Sequence, residues 1–302
     1  YQYRMNADIQ RLANTLIYDG HLRCGSLKVA NQRIQYTVDP AAAVRDLPTS
    51  EEGELLASER AVAVDLTWVV DALDPARGAV FIDTDKVQGY ESRSEGSDLV
   101  HNATEIRIIK VLTSVLQACG IEGRNVGMLS PYRTQIRQLE IEYGTRLETG
   151  NIAAQPLIDE VKEDPAAPTK DKTCYSGLEM HTIDRYQGRD TDVIIVSWVR
   201  SNSRQAIGEL LRDWRRINVA ITRARLKLIM VGSRSTLQRS PLLSIMLSIL
   251  AANNSIVQIP AKGLVPVKQP ASSVPSASTA TYMAGSALLK NRPIASNIIA
   301  EQ

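Results

Sequence analysis

The chain has 302 residues, 44% of them hydrophobic, enough to build one large or two ordinary domains. Its 35 basic and 33 acidic residues leave a net charge of only +2, so any affinity for a polyanion must come from local placement of charge. Cys24, Cys119 and Cys174 are odd in number and far apart, which fits neither a disulfide framework nor a CxxC zinc site and suits a reducing compartment; no apolar run is long enough to span a bilayer, and no basic-then-apolar leader pattern is read in the sequence.

Tyr1 stands where a start methionine is usual, and the expectation is a chain that begins inside a longer protein or has been trimmed. The first notable stretch is QYRMN, residues 2–6, just before a helical pattern over 6–18. Tyr3 offers a flat stacking face and Arg4 a planar fork for phosphate oxygens, although a surface Tyr and Arg beside a helix start are also common without a ligand. The β-branched run 79–85 reads as a buried strand, as do 125–131, 192–199 and 226–232. A helix is expected over 102–120, capped by Asn102 with Glu105 three positions on and stopped by Gly120. MLSPYRTQ, 128–135, ends a strand and opens a helix over 132–147 at Ser130 and Pro131, where free backbone N–H groups can bind phosphate or simply be capped.

Residues 150–177 are polar and Pro-bearing and read as a surface insertion. The next stretch, HTIDRYQGRDTDVIIVSWVRSN, 181–202, places Gly188 in a turn with Asp184, Gln187, Arg189 and Asp190 around it. Gly188 permits close approach of a ligand, and the alternative is an ordinary hairpin with a solvated tip. In GELLRDWRRINVAITRAR, 208–225, a continuous helix would set Arg216, Ala220 and Arg223 on one face, while Ile217, Val219 and Ile221 imply burial. Buried arginines need partners, and Arg223 and Arg225 stand at a helix-to-strand junction where an anionic ligand is expected. The three histidines do not cluster with carboxylates or cysteines, so no metal site is expected. Strands alternating with helices predict a doubly wound, mainly parallel α/β sheet over 1–257, followed by a Pro- and Ser-rich linker and tail over 258–302.

QYRM, SPYRTQ, TIDRYQGRD with VSWVRSN, and RRINVAITRAR, in that order, resemble the motifs of the second RecA-like domain of superfamily-one helicases. LANTLIYDGHLRCGSLKVAN and GELLRDWRRINVAITRARLKLIMVGS look closer still to the eukaryotic DNA replication nuclease-helicases. The resemblance covers residues 1 to about 257, and is weak at 36–78 and across the insertion.

The resemblance implies that Tyr3 stacks on adenine, that Arg4 and Arg223 reach the γ-phosphate of ATP as arginine fingers, and that Gln187, Gly188 and Asp190 line the nucleotide. It places Ser130, Tyr132, Thr182 and Arg200 on a single-stranded DNA track. It implies a 5′-to-3′ motor acting on single strands and flaps in Okazaki-fragment processing and end resection, in the nucleus and mitochondrion, with replication protein A and a flap endonuclease as partners. The family's phosphate loop, acidic strand end, nuclease carboxylates and iron-sulfur cysteines have no counterpart here. ATP and Mg²⁺ would therefore be held mainly by another domain, the iron-sulfur cluster would belong to a nuclease domain, and the chain alone is expected to be inactive. An RNA helicase of the nonsense-decay type and a non-motor nucleic-acid-binding domain are the alternatives.

Overall fold

The apolar runs carry few polar residues in alternation, and in a computed structural model of the chain they lie in the middle of a sheet covered on both sides. The structure describes residues 1–46, 65–87, 89–93, 99–144 and 177–264. The sheet is six-stranded in the order β5-β4-β6-β7-β1-β8, with every neighbouring pair parallel. Its strands are β1 (Ala79–Asp83), β4 (Val126–Ser130), β5 (Glu179–Thr182), β6 (Thr191–Ser197), β7 (Ala224–Gly232) and β8 (Ile256–Gln258). A short antiparallel pair, β2 (Ser92–Arg93) and β3 (Val100–His101), stands outside it.

Successive side chains of a strand point to opposite faces. Val80, Ile82, Val193 and Ile195 therefore join one core with Ile108, Leu112 and Leu139, whereas Phe81, Ile194, Val196 and Met230 join the other with Ile9, Ile217 and Leu247. The first core is covered by α3 (Pro40–Arg45), α4 (Thr67–Leu73), α5 (Ala103–Ala118) and α6 (Arg133–Glu142). The second is covered by α1 (Ala7–Ile17), α7 (Trp214–Ile221) and α9 (Pro241–Ala252). Two further helices are single turns, α2 (Leu27–Ala30) and α8 (Arg234–Leu237). Complete burial of each such side chain contributes about 1.5–3 kcal/mol, so neither face tolerates a polar substitution.

The expected doubly wound α/β fold is thus present. Strands β5 and β8 were not expected; β5 is an edge strand in which Met180 alone is apolar and buried, and β8 has three residues, so neither carries a long apolar run. Asn102 caps α5 as expected, its Oδ1 accepting from Glu105 N at 3.1 Å, and Gly120 turns the chain with φ of 84°. Glu105 does not reach back to the Asn102 amide, which donates instead to Gln135 Oε1 at 2.8 Å.

The helix expected to carry Arg216, Ala220 and Arg223 ends at Ile221. Thr222 closes it by donating its hydroxyl to Asn218 O at 2.7 Å, and the chain then turns to pair Ala224 with Thr191. Arg223 lies in that turn and shares no helical face with Arg216. Val219 is only half-buried.

The packing continues past 257. Ile259 is fully buried, and Gly263 O accepts from the Trp68 indole at 3.1 Å. The expected insertion at 150–177, except Gly177, and residues 265–302 of the expected linker and tail lie outside the described residues.

Candidate nucleotide and nucleic-acid edges

Because the six strands run the same way, the sheet has an amino edge and a carboxyl edge, and the candidate residues divide between them. At the amino edge, Asp190 precedes β6 and Arg223 precedes β7. Arg4 comes to the same place because Asn6, the cap of α1, is anchored to the start of β7: its amide donates to Arg225 O at 3.1 Å and its Nδ2 to Leu226 O at 2.8 Å. Gln2 orders the intervening turn, its Oε1 accepting from the Arg4 and Met5 amides at 2.8 and 2.7 Å.

Arg4 Nε donates to Asp190 Oδ2 at 2.7 Å, and Arg4 Nη1 donates to Thr222 O at 3.1 Å. Arg225 reaches Asp190 at 3.7 Å and Asp192 at 3.0 Å. Arg223 is held by neutral acceptors: Nε donates to Val219 O at 3.2 Å, Nη1 to Arg189 O at 3.4 Å and Nη2 to Thr222 Oγ1 at 2.8 Å. Burial, and next the charge of Arg4, lower the Arg223 pKa, although a guanidinium stays charged. Positive charge is therefore concentrated here beyond what Asp190 offsets, and the pairs with that carboxylate, a third exposed, are worth at most about 1 kcal/mol. The site is short of negative charge, which fits a phosphate group. Asp190 faces the arginines, so its carboxylate orients them and is poorly placed to touch a phosphate.

Gly188 has φ of 90° and open space where a side chain would project, and Gln187 beside it is exposed. Tyr3 is 72% exposed, with its ring laid over Gly25: a methyl group there would stand 2.0 Å from the ring. Gly25 escaped the sequence reading because nothing in a lone glycine indicates which ring crosses it. Gly25→Ala is expected to displace Tyr3 and weaken binding of an adenine nucleotide several-fold, as much as a lost stacking partner of about 1 kcal/mol allows. Equal nucleotide affinities of the two proteins by calorimetry, with both motor halves present, would contradict this.

At the opposite edge, Ser130 and Thr182 end β4 and β5 and lie side by side in register. Ser130 is buried and accepts from Tyr132 N at 3.2 Å, so it does not cap α6, whose first turn has no side-chain cap. Thr182 is half-buried.

Arg200, expected on the track, is only 4% exposed. Its Nε donates to Glu91 Oε2 at 2.9 Å, an oxygen that also accepts from Ser201 N and Asn202 Nδ2. Tyr132, buried beside it, hydrogen-bonds Arg200, and burial raises its phenol pKa. Arg200 and Tyr132 thus shape the edge from within.

Behind them lies a polar network the sequence did not disclose. Glu105 is fully buried, its Oε2 accepting from Ser197 Oγ at 2.5 Å and Val199 N at 3.0 Å, and desolvation pushes its carboxyl up to about 8. Gln135 bonds both Asn102 O and Ser197 Oγ. Val199 is held at φ of 69°, a left-handed conformation unfavourable for a β-branched residue.

A doubly wound sheet with arginines clustered at its amino edge and a buried polar network behind its carboxyl edge is the frame of a nucleotide-driven α/β domain, and residues 1–235 match the AAA domain family, to which the chain belongs. It is 37% identical over 261 residues to the mouse DNA replication ATP-dependent helicase/nuclease DNA2, covering 86% of this chain and 21% of the relative. It is 34% identical over 256 residues to the fission yeast (Schizosaccharomyces pombe) protein of that name, covering 84% and 15%, and 32% identical over 260 residues to JHS1 of Arabidopsis thaliana, covering 85% and 15%. The chain spans about a fifth or less of the length of these relatives. Among the described residues, no helix is long and apolar enough to cross a membrane, and no group of three metal-ligating side chains occurs.

Proposed function

We propose that this chain is the second motor half of an ATP-dependent DNA helicase. The observation that carries the reading is the convergence of Arg4 and Arg223 on the amino edge, with the exposed ring of Tyr3 preceding Arg4 in the chain. ATP supplies the phosphoryl transfer. The two guanidiniums hold the negative charge that develops, Tyr3 seats the base, and Asp190 keeps Arg4 aimed. No GxxxxGK[ST] run occurs in the chain. The phosphate-loop lysine, the Mg²⁺ ligands and the water-orienting residue are therefore assigned to a first motor domain. Single-stranded DNA is assigned to the carboxyl edge, at Thr182 and the uncapped start of α6, with Ser130, Tyr132 and Arg200 supporting it.

The longer protein would couple this motor to a nuclease carrying an iron-sulfur cluster. It would act on flaps and resected ends in the nucleus and mitochondrion, with replication protein A and a flap endonuclease. The names of the relatives support the helicase and nuclease parts; the pathway roles and partners rest on family resemblance.

Phosphate release measured with and without single-stranded DNA is the test. The chain alone is expected to be silent, and turnover is expected when a first motor half is supplied. DNA-stimulated turnover by the chain alone that Arg223→Ala abolishes would overturn the division of labour. Stimulation by RNA but not DNA would favour an RNA motor.

A further inference from the structure

The first turn of α7 carries a side-chain pair that the two edges leave unused. Trp214 opens the helix, Asp213 caps it by accepting from Arg215 N at 3.0 Å, and the indole is 47% exposed. The Arg215 guanidinium lies 5.0 Å from the indole centroid. Neighbouring Arg212 and Arg216 are paired with Glu209 and Asp184, whereas among the described residues the recorded partner of Arg215 is this ring. Residues 204–216 hold Arg204, Arg212, Arg215 and Arg216, which with Glu209, Asp213 and the Asp184 that Arg216 grips leave a net charge of +1.

The pair is held next to the carboxyl edge. Arg216 Nε donates to Asp184 Oδ1 at 3.0 Å and Oδ2 at 3.2 Å, and Asp184 lies two residues beyond Thr182, the end of β5. Ile217 and Leu211, both buried, anchor the turn from below. The indole therefore rides on a fixed support and loses little freedom on meeting a planar partner. An exposed indole with a cation at its side presents a stacking surface and a phosphate contact together.

We propose that Trp214 and Arg215 form a binding subsite for single-stranded nucleic acid, the indole stacking on one base and the guanidinium meeting the adjoining phosphate. The inference rests on the assignment of the strand to the carboxyl edge and extends it to a residue outside Ser130, Tyr132, Thr182 and Arg200. A protein partner could also use a Trp–Arg pair; the net positive charge and the tie of Arg216 to Asp184, two residues past Thr182, favour a polyanion. Stacking makes the subsite tolerant of base identity, since every base has a π face.

The molecule supplies its own reporter. Of its three tryptophans, Trp68 is 2% and Trp198 0% exposed, so emission changes on adding a strand report mainly on Trp214. The chain is titrated with an oligothymidylate of about a dozen nucleotides, long enough for one domain-sized site. Quenching of the emission is expected on binding. Trp214→Ala should abolish the quench and weaken binding about ten-fold, and Trp214→Phe should restore most of the affinity. Arg215→Ala should lower the salt dependence by about one phosphate contact. An unchanged affinity in Trp214→Ala alongside a loss in Thr182→Ala overturns the subsite and leaves the carboxyl-edge track standing. Undiminished binding in both variants, or no binding by the unaltered chain, overturns the track as well. Both substitutions in the subsite are at the surface, and matching thermal melts confirm that each variant is folded.

Discussion

Arg223→Lys is expected to lower ATP turnover about 10³-fold or more when both motor halves are present, the scale set by arginine fingers. The arginine is aimed by three donors shared among Val219 O, Arg189 O and Thr222 Oγ1, which fix the plane of the fork. An ammonium on a shorter, freely rotating head keeps the charge and loses both the plane and the two-point contact. Nucleotide affinity should change much less, because a finger acts chiefly on charge that appears during transfer. Single-strand affinity without nucleotide should stay near that of the unaltered protein, since the proposed strand track is at the other edge of the sheet. The three quantities are compared on one preparation. Collapse of DNA affinity with turnover preserved at saturating DNA would move Arg223 from the nucleotide to the strand.

The second large effect concerns Glu105 and pH. Its carboxyl titrates near 8 when folded against an ordinary 4.5, so between those values the folded protein holds a proton that the unfolded chain releases. Stability from this group is present below about pH 4.5 and is lost as pH rises to about 8. At about 1.4 kcal/mol per pH unit the loss has an upper limit of roughly 5 kcal/mol, comparable with the stability of a small domain.

Lys227 acts in the opposite sense at higher pH. Its buried ammonium donates to Asp74 O and Arg77 O, and desolvation pulls its pKa to about 7, so stability from this group rises from about pH 7 toward its ordinary 10.5. Urea titrations of the chain and of Glu105→Gln from pH 5 to 8 separate the two, since only Glu105 differs between the proteins. The slope over this window should flatten in the glutamine variant; identical slopes would show that the carboxyl ionises freely. Glu105→Ala should be far more costly at every pH. It leaves the Ser197 hydroxyl and the Val199 amide buried without this partner, at about 1–3 kcal/mol each.

The central strands and the cap of α5 were legible because long apolar runs and an Asn three residues before a Glu are local signals. Arg4 and Arg223 were legible as motif members, but their meeting was not. It depends on Asn6 clasping the start of β7 across more than two hundred residues of chain. Glu105 looked like half of a capping box because spacing reveals a neighbour in sequence, while its Oε2 partners, Ser197 and Val199, come from the end of β6 and the turn after it. Arg200 looked like a strand contact because sequence reports charge and not exposure; Glu91, which neutralises it, lies in a stretch without a recognised motif. The end of α7 before Arg223 was hidden because Thr222 carries no local stop signal, and the chain leaves the helix to pair Ala224 with Thr191, more than thirty residues away.

The candidate residues divide between the two edges, yet one stretch of chain touches both. From Thr182 at the end of β5, a single 3₁₀ turn over Ile183–Tyr186 and the bend at Gly188 carry the backbone to Asp190 at the start of β6. Buried Ile183 and Tyr186 fasten it to the sheet, and Arg216 grips it at Asp184. It has the proportions of a connecting rod: short, pinned along its length, with the proposed nucleotide site at one end and the proposed strand site at the other. In such a part slack is wasted stroke. On the proposed function, loosening it would leave an engine that burns fuel without advancing, although each site taken alone would still close on its own ligand.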